Sequence, residues 1–98
     1  MIVVGSDGLW DNLHRPQIIE EILPFMKGQN AKIEDPSYVA ERISKTAEEK
    51  SYQKNYMSPF AKGAREHNYN YIGGKPDDIT VVVAQIRLKN TKTDKKHQ

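Results

Sequence analysis

The sequence predicts an α+β chain, and three features of its 98 residues predict it. Apolar, β-branched runs stand near both ends, Met1–Ser6 (MIVVGS) and Ile79–Leu88 (ITVVVAQIRL). Two segments between them carry apolar residues at three- and four-residue spacing, the mark of helices with one buried face. An apolar share of 37% is low for a globular chain, yet the spacing is too regular for disorder.

Met1–Ser6 reads as a buried strand that stops at Asp7-Gly8. It starts with no cap, arm or turn before it, which leads us to expect further domain sequence upstream. After GLWDNL (8–13), Pro16–Lys27 reads as a helix whose first turn accepts Pro16, because the missing N–H there has no helical partner to lose. Ile18, Ile19, Ile22, Leu23 and Met26 form its apolar face, and Pro24 should kink or end it. Trp10 is expected to turn its ring inward beneath this helix as a core anchor. Residues 28–35 read as a polar loop. A second amphipathic helix is expected over Pro36–Tyr52, with Asp35 as N-cap. Its inner edge is Val39, Ala40, Ile43, Ala47 and Lys50, and its outer edge Glu41, Lys45, Glu48 and Glu49.

Residues 53–74 are less regular. Tyr56, Met57, Pro59 and Phe60 form an apolar knot, Ala61–His67 has room for two helical turns, and 68–74 is rich in turn residues. The final run begins as a central strand and then alternates, with Gln85 and Arg87 expected to face outward. The reading therefore assigns residues 1–88 to one domain and 89–98 to a basic, disordered tail.

Charge and composition exclude several functions. Four lysines against one aspartate give the last ten residues +3, so residues 1–88 carry −1 of the chain's +2. A near-neutral body with a basic tail is not a nucleic-acid surface, which needs Lys and Arg on a structured face with aromatics between them. Tyr52, Tyr56, Phe60, Tyr69 and Tyr71 lack such partners and are expected to pack the irregular connection. The absence of cysteine excludes disulfides and thiolate metal sites. No apolar run approaches the roughly 20 residues of a membrane helix, and no secretory signal opens the chain.

The chemistry points to acidic residues beside the two strands. Asp7 ends the first strand, and Asp77-Asp78 stand just before the last. If the strands are antiparallel neighbours, these carboxylates share one rim of the sheet. Hard oxygen donors suit Mg²⁺ or Mn²⁺ rather than zinc, and Gly8, Gly73 and Gly74 would leave room for a hydrated ion. Spacing alone leaves a second reading open, in which Asp7-Gly8 and Asp77 merely make turns.

GSDGLWDNL (5–13) and GGKPDDITVVVA (73–84) together resemble the last two signature motifs of the metal-dependent PPM-type (type 2C) serine/threonine protein phosphatases. The segment NYMSPFA (55–61) is similar to the small subgroup with mitochondrial and plastid members, and the likeness covers nearly all of residues 2–88. The resemblance implies part of an α-β-β-α sandwich, two antiparallel sheets flanked by helices, incomplete in this chain. It also implies a two-metal centre of Mg²⁺ or Mn²⁺ with Asp7 and Asp77 as ligands and Asp78 in a supporting place. The implied reaction is attack of metal-activated water on a phosphoserine or phosphothreonine protein, with no catalytic side chain among these residues.

The family's other signature residues have no match here. The Asp-Gly metal motif, the phosphate-binding Arg and the proton-donating His all lie outside the resembling region. His14, Arg15, Arg42, Arg65 and His67 match none of them and are expected at the surface. The chain thus looks like the C-terminal portion of a phosphatase, with half a metal site and little activity alone. Its expected partners are the phosphoprotein substrate and the N-terminal part of the same domain. Neither nucleic acid nor membrane is expected, and residence in an organelle follows from the subgroup. A haloacid-dehalogenase-type phosphohydrolase is rejected because its nucleophilic Asp would fall at Gly5. The alternative from another class is a non-catalytic binding or regulatory module, self-associating through bare sheet edges and a bare sheet face.

Overall fold

The computed structural model describes residues 1–27, 32–33 and 35–85. Strand β1 (Ile2–Gly5) leads into the single-turn helix α1 (Asp7–Trp10), then α2 (Arg15–Ile22) and a 3₁₀ turn at Leu23–Phe25. Short strands β2 (Met26–Lys27) and β3 (Lys32–Ile33) precede α3 (Pro36–Ser51), α4 (Pro59–Glu66) and β4 (Val81–Ala84). The α+β class is as expected.

β1 and β4 pair antiparallel, with Ile2 opposite Ala84, Val3 opposite Val83, Val4 opposite Val82 and Gly5 opposite Val81. One face of this ribbon packs on α3 and on Leu9 of α1. The core there joins Leu9, Leu13, Ile18, Ile22, Ile33, Val39, Ile43, Ala47 and Val83. The other face is uncovered: Ile2, Val4 and Val82 are 44%, 56% and 54% exposed. The expectation that this strand is buried on both faces fails among the described residues, while the expected bare face is present.

Helix α3 follows the sequence closely. The Asp35 carboxylate accepts the Tyr38 N–H at 3.1 Å, and Val39, Ile43 and Ala47 are fully buried. Helix α2 is shorter than the expected Pro16–Lys27 and ends ahead of Pro24, as that residue predicts. Pro24 has no N–H to offer, so the chain tightens into a 3₁₀ turn rather than continuing. Met26–Lys27 is then a strand, antiparallel to Lys32–Ile33, and Ile33 is buried in the core rather than in a polar loop. Ile19 and Leu23 face outward because the buried face of α2 runs through Ile18 and Ile22, four residues apart, while Glu21 beside it pairs with Arg42 and Thr46 of α3. Gln85 does not simply face outward: its Oε1 accepts the Ile33 N–H at 3.0 Å. The expected tail and Arg87 lie outside the described residues.

Candidate metal centre

The two acidic segments are brought to one rim by the strand register, and side chains then fasten them together. Past the Gly5–Val81 pair, the Ser6 N–H donates to the Thr80 carbonyl at 3.0 Å. The Ser6 hydroxyl donates to the Asp78 carbonyl at 3.1 Å and accepts the Thr80 N–H at 3.0 Å. Asp7 opens α1 directly after Ser6, so the turn carrying Asp7 and the loop carrying Asp77-Asp78 lie in contact. All three aspartates are exposed.

The contact is closest at Gly8, where a Cβ would strike the Asp78 carbonyl oxygen. This corrects one expectation. The space left by the glycine is filled by backbone of the opposing loop, not kept for a hydrated ion. Gly73 and Gly74 are also buried against protein, at the end of α3, and Gly73 holds a φ of +106° that favours glycine. Asp77 Oδ1 accepts the Asp78 N–H at 2.8 Å, the local turn bond anticipated for it. What Asp78 contributes to the contact between the two loops is its backbone carbonyl, which accepts the Ser6 hydroxyl.

A residue the sequence did not single out holds the rest of the loop. Asn12 is 0% exposed. Its Nδ2 donates to the carbonyls of Gly8 at 2.7 Å and Lys75 at 2.8 Å, and its Oδ1 accepts the Lys75 N–H at 2.7 Å. Next to it, Asp11 pairs with Lys75 Nζ at 3.6 Å, and that ammonium stands 4.4 Å from the Phe60 ring centroid. The sequence signal for Asn12 is weak. It lies four residues after Gly8 on α1's continuation, where i and i+4 share a face, but a polar residue between Asp and Leu reads as surface.

Trp10 is not a core anchor. It is 42% exposed, and its indole N–H donates to the Gly5 carbonyl at 3.0 Å, so the ring covers the end of β1 from outside. The single turn of α1 explains this: Leu9 and Leu13 point into the core, and the next position is rotated about 100° away. His14 is half-buried rather than a free surface residue. Its Nε2 is 2.9 Å from the Met57 carbonyl and its ring meets Tyr56 edge to face. Among the five aromatics, Tyr56, Phe60 and Tyr71 pack the connection, while Tyr52 and Tyr69 are exposed.

Among the described residues, no three acidic or imidazole side chains come close enough to hold an ion together. The side chains that the two fastened loops expose are carboxylates, hard oxygen donors of the class that suits Mg²⁺ or Mn²⁺ rather than a softer metal. No helix of the described residues is long and apolar enough to cross a membrane.

No family model matches the chain. Over 86 residues the chain is 40% identical to the human protein phosphatase PTC7 homolog, covering 88% of this chain and 27% of that protein. It is 37% identical to the probable protein phosphatase 2C 80 of Arabidopsis thaliana, over 88% of this chain and 20% of the relative. Among solved structures it is similar to the photosystem II phosphatase PBCP, with a TM-score of 0.71 and 28% identity. That likeness covers 87% of this chain and 35% of the other. The chain therefore spans about a quarter of the length of these curated relatives. In sequence and in fold the chain belongs with the PPM-type (type 2C) protein phosphatases, near the PTC7 group.

Proposed function

We propose that this chain supplies part of the two-metal centre of a protein serine/threonine phosphatase. Asp7 and Asp77 are its metal ligands, Asp78 is a support, and the metal is Mg²⁺ or Mn²⁺. The observation that carries this reading is the antiparallel register of β1 and β4, which sets both acidic segments at one rim although 70 residues separate them. When bound, such cations supply an activated water and offset charge on the phosphoryl oxygens of a phosphoserine or phosphothreonine ester. The chain's own part is to present two carboxylates from fastened loops, so that little ordering remains at the moment of binding.

On this reading the chain holds half a site and turns over little or nothing alone. The other ligands and the phosphate-binding side chains come from the rest of a phosphatase domain, which also covers Ile2, Val4 and Val82. A mitochondrial or plastid location belongs to the same proposal, supported by the likeness to a photosystem II phosphatase. The uncovered sheet face favours a second reading, a non-catalytic module that binds another chain through it.

Amide NMR during Mg²⁺ titration separates the two. The phosphatase reading expects shifts centred on Asp7, Gly8, Asp77 and Asp78 that Asp77→Asn abolishes. A folded spectrum with no response at these residues favours the binding module.

A further inference from the structure

We propose that Asn12 is a positioning residue of the metal centre, its carboxamide fixing where the Lys75–Asp78 loop stands relative to Asp7. The inference rests on the metal reading above and goes beyond it by assigning the loop geometry to one side chain.

The carboxamide touches both acidic segments at once. Its bond to the Gly8 carbonyl lies one residue from Asp7, and its paired bonds to the Lys75 N–H and carbonyl lie two residues from Asp77. The pair to Lys75 copies the donor–acceptor exchange of a strand partner, made by a side chain from 63 residues away. All three bonds are 2.7–2.8 Å, the side chain is fully enclosed, and no buried side-chain polar atom among the described residues is left unpaired. Lys75 fixes which way the amide faces, because its N–H needs an acceptor and its carbonyl a donor.

Other side chains fail for stated reasons. Aspartate keeps the acceptor but loses both donors and sets a carboxylate against two carbonyl oxygens. Leucine keeps the shape but takes away the partner of three backbone groups, the Gly8 carbonyl and the Lys75 N–H and carbonyl. Glutamine is one methylene too long for an enclosed pocket. Ser6 fastens the loop at Asp78 and Asn12 at Lys75, so Asp77 sits between two fixed points.

The test uses the full 98-residue chain and reads metal affinity apart from stability. In wild type, Mg²⁺ should shift the amides of Asp7, Gly8, Asp77 and Asp78 along one isotherm, and should slow hydrogen exchange of the Lys75 amide along the same isotherm. In Asn12→Asp and Asn12→Ala, studied well below their melting temperatures, Mg²⁺ affinity should fall by about tenfold or more, the scale of an outer-shell loss. Mn²⁺ broadening should then divide, no longer reaching both segments at one metal concentration. Val39→Ala, a core change in α3, should lower the melting temperature while leaving Mg²⁺ affinity within about twofold, since Val39 makes none of the hydrogen bonds that join the two segments.

Three results overturn the proposal: folded Asn12 variants with wild-type affinity and joint broadening, an equal affinity loss in Val39→Ala, or a Lys75 amide whose exchange ignores metal. The last needs no variant and decides the matter even if both Asn12 variants unfold. If wild type shows no response at Asp7 and Asp77, the metal reading itself fails, and this inference falls with it.

Discussion

The two faces of the β1–β4 ribbon carry nearly the same residues and meet opposite fates. Val3 and Val83 face α3, and Val83 belongs to the core. Val4 and Val82, one position along each strand, are more than half exposed. A strand whose two faces are equally apolar is built to be covered on both. Here one cover is the chain's own helices, and the other is not among the described residues. The difference teaches that, among the described residues, the ribbon and its acidic rim are held from one side only.

Breaking the covered face should cost most. Leu9 fills the space over Gly5 and is fully buried, so Leu9→Ala should lower unfolding stability by about 2–5 kcal/mol, read from urea denaturation. A loss below about 1 kcal/mol would contradict the packing of α1 on the sheet. The direct contrast is Val83→Ala against Val82→Ala. The first should cost about 2 kcal/mol from lost burial and a cavity, the second no more than about 0.5 kcal/mol in a monomeric sample. Equal effects would mean that both faces are covered in solution.

A third measurement addresses the cover itself. If the exposed face associates with other chains, Val82→Lys should shift sedimentation toward the monomer mass while the melting temperature stays close to wild type. An unchanged distribution removes this face from any association.

The smallest effect concerns the connection rather than the sheet. Burial raises the Tyr56 hydroxyl above its ordinary pKa of 10.0, and a bond to Gln17 partly offsets that. The hydroxyl is 2.7 Å from both the Asn12 carbonyl and Gln17 Oε1, with one proton to place between them. The folded state therefore keeps that proton longer than the unfolded chain does. Its stabilising effect is complete below pH 10 and is lost as pH rises through the higher folded value. Tyr56→Phe should flatten this part of the alkaline denaturation profile, and an unaltered profile would exclude Tyr56 as its source.

The sequence made some of this legible and hid the rest for physical reasons. Helix α3 was readable because sixteen residues of regular spacing follow an Asp-Pro start. The meeting of Asp7 with Asp77-Asp78 was readable once the two runs were taken as antiparallel neighbours. β2 and β3 were not, since two-residue strands are too short to show a period of two. Trp10 misled because hydrophobicity alone does not say which side of a single turn a ring occupies. Ser6 and Asn12 were invisible because their value lies in partners over 60 residues away, which no local pattern records.

The connection between α3 and β4 leaves and returns at one place. Met57 bridges Gly73, the Gly73 N–H donates to the Tyr56 carbonyl at 2.8 Å, and the buried Ser58 hydroxyl both caps α4 and donates to the Gly73 carbonyl at 2.7 Å. Residues Pro59 to Ile72 therefore leave and return through one closed neck and are tied once more where the Phe60 N–H donates to the Asp11 carbonyl at 3.1 Å, with Phe60 and Tyr71 edge to face inside it. A segment of this kind can gain or lose residues with only a slowly rising closure entropy, and without moving the strands on either side. Beyond Phe60, a change in the length or surface chemistry of this segment therefore leaves the acidic rim a few residues downstream of the neck in register.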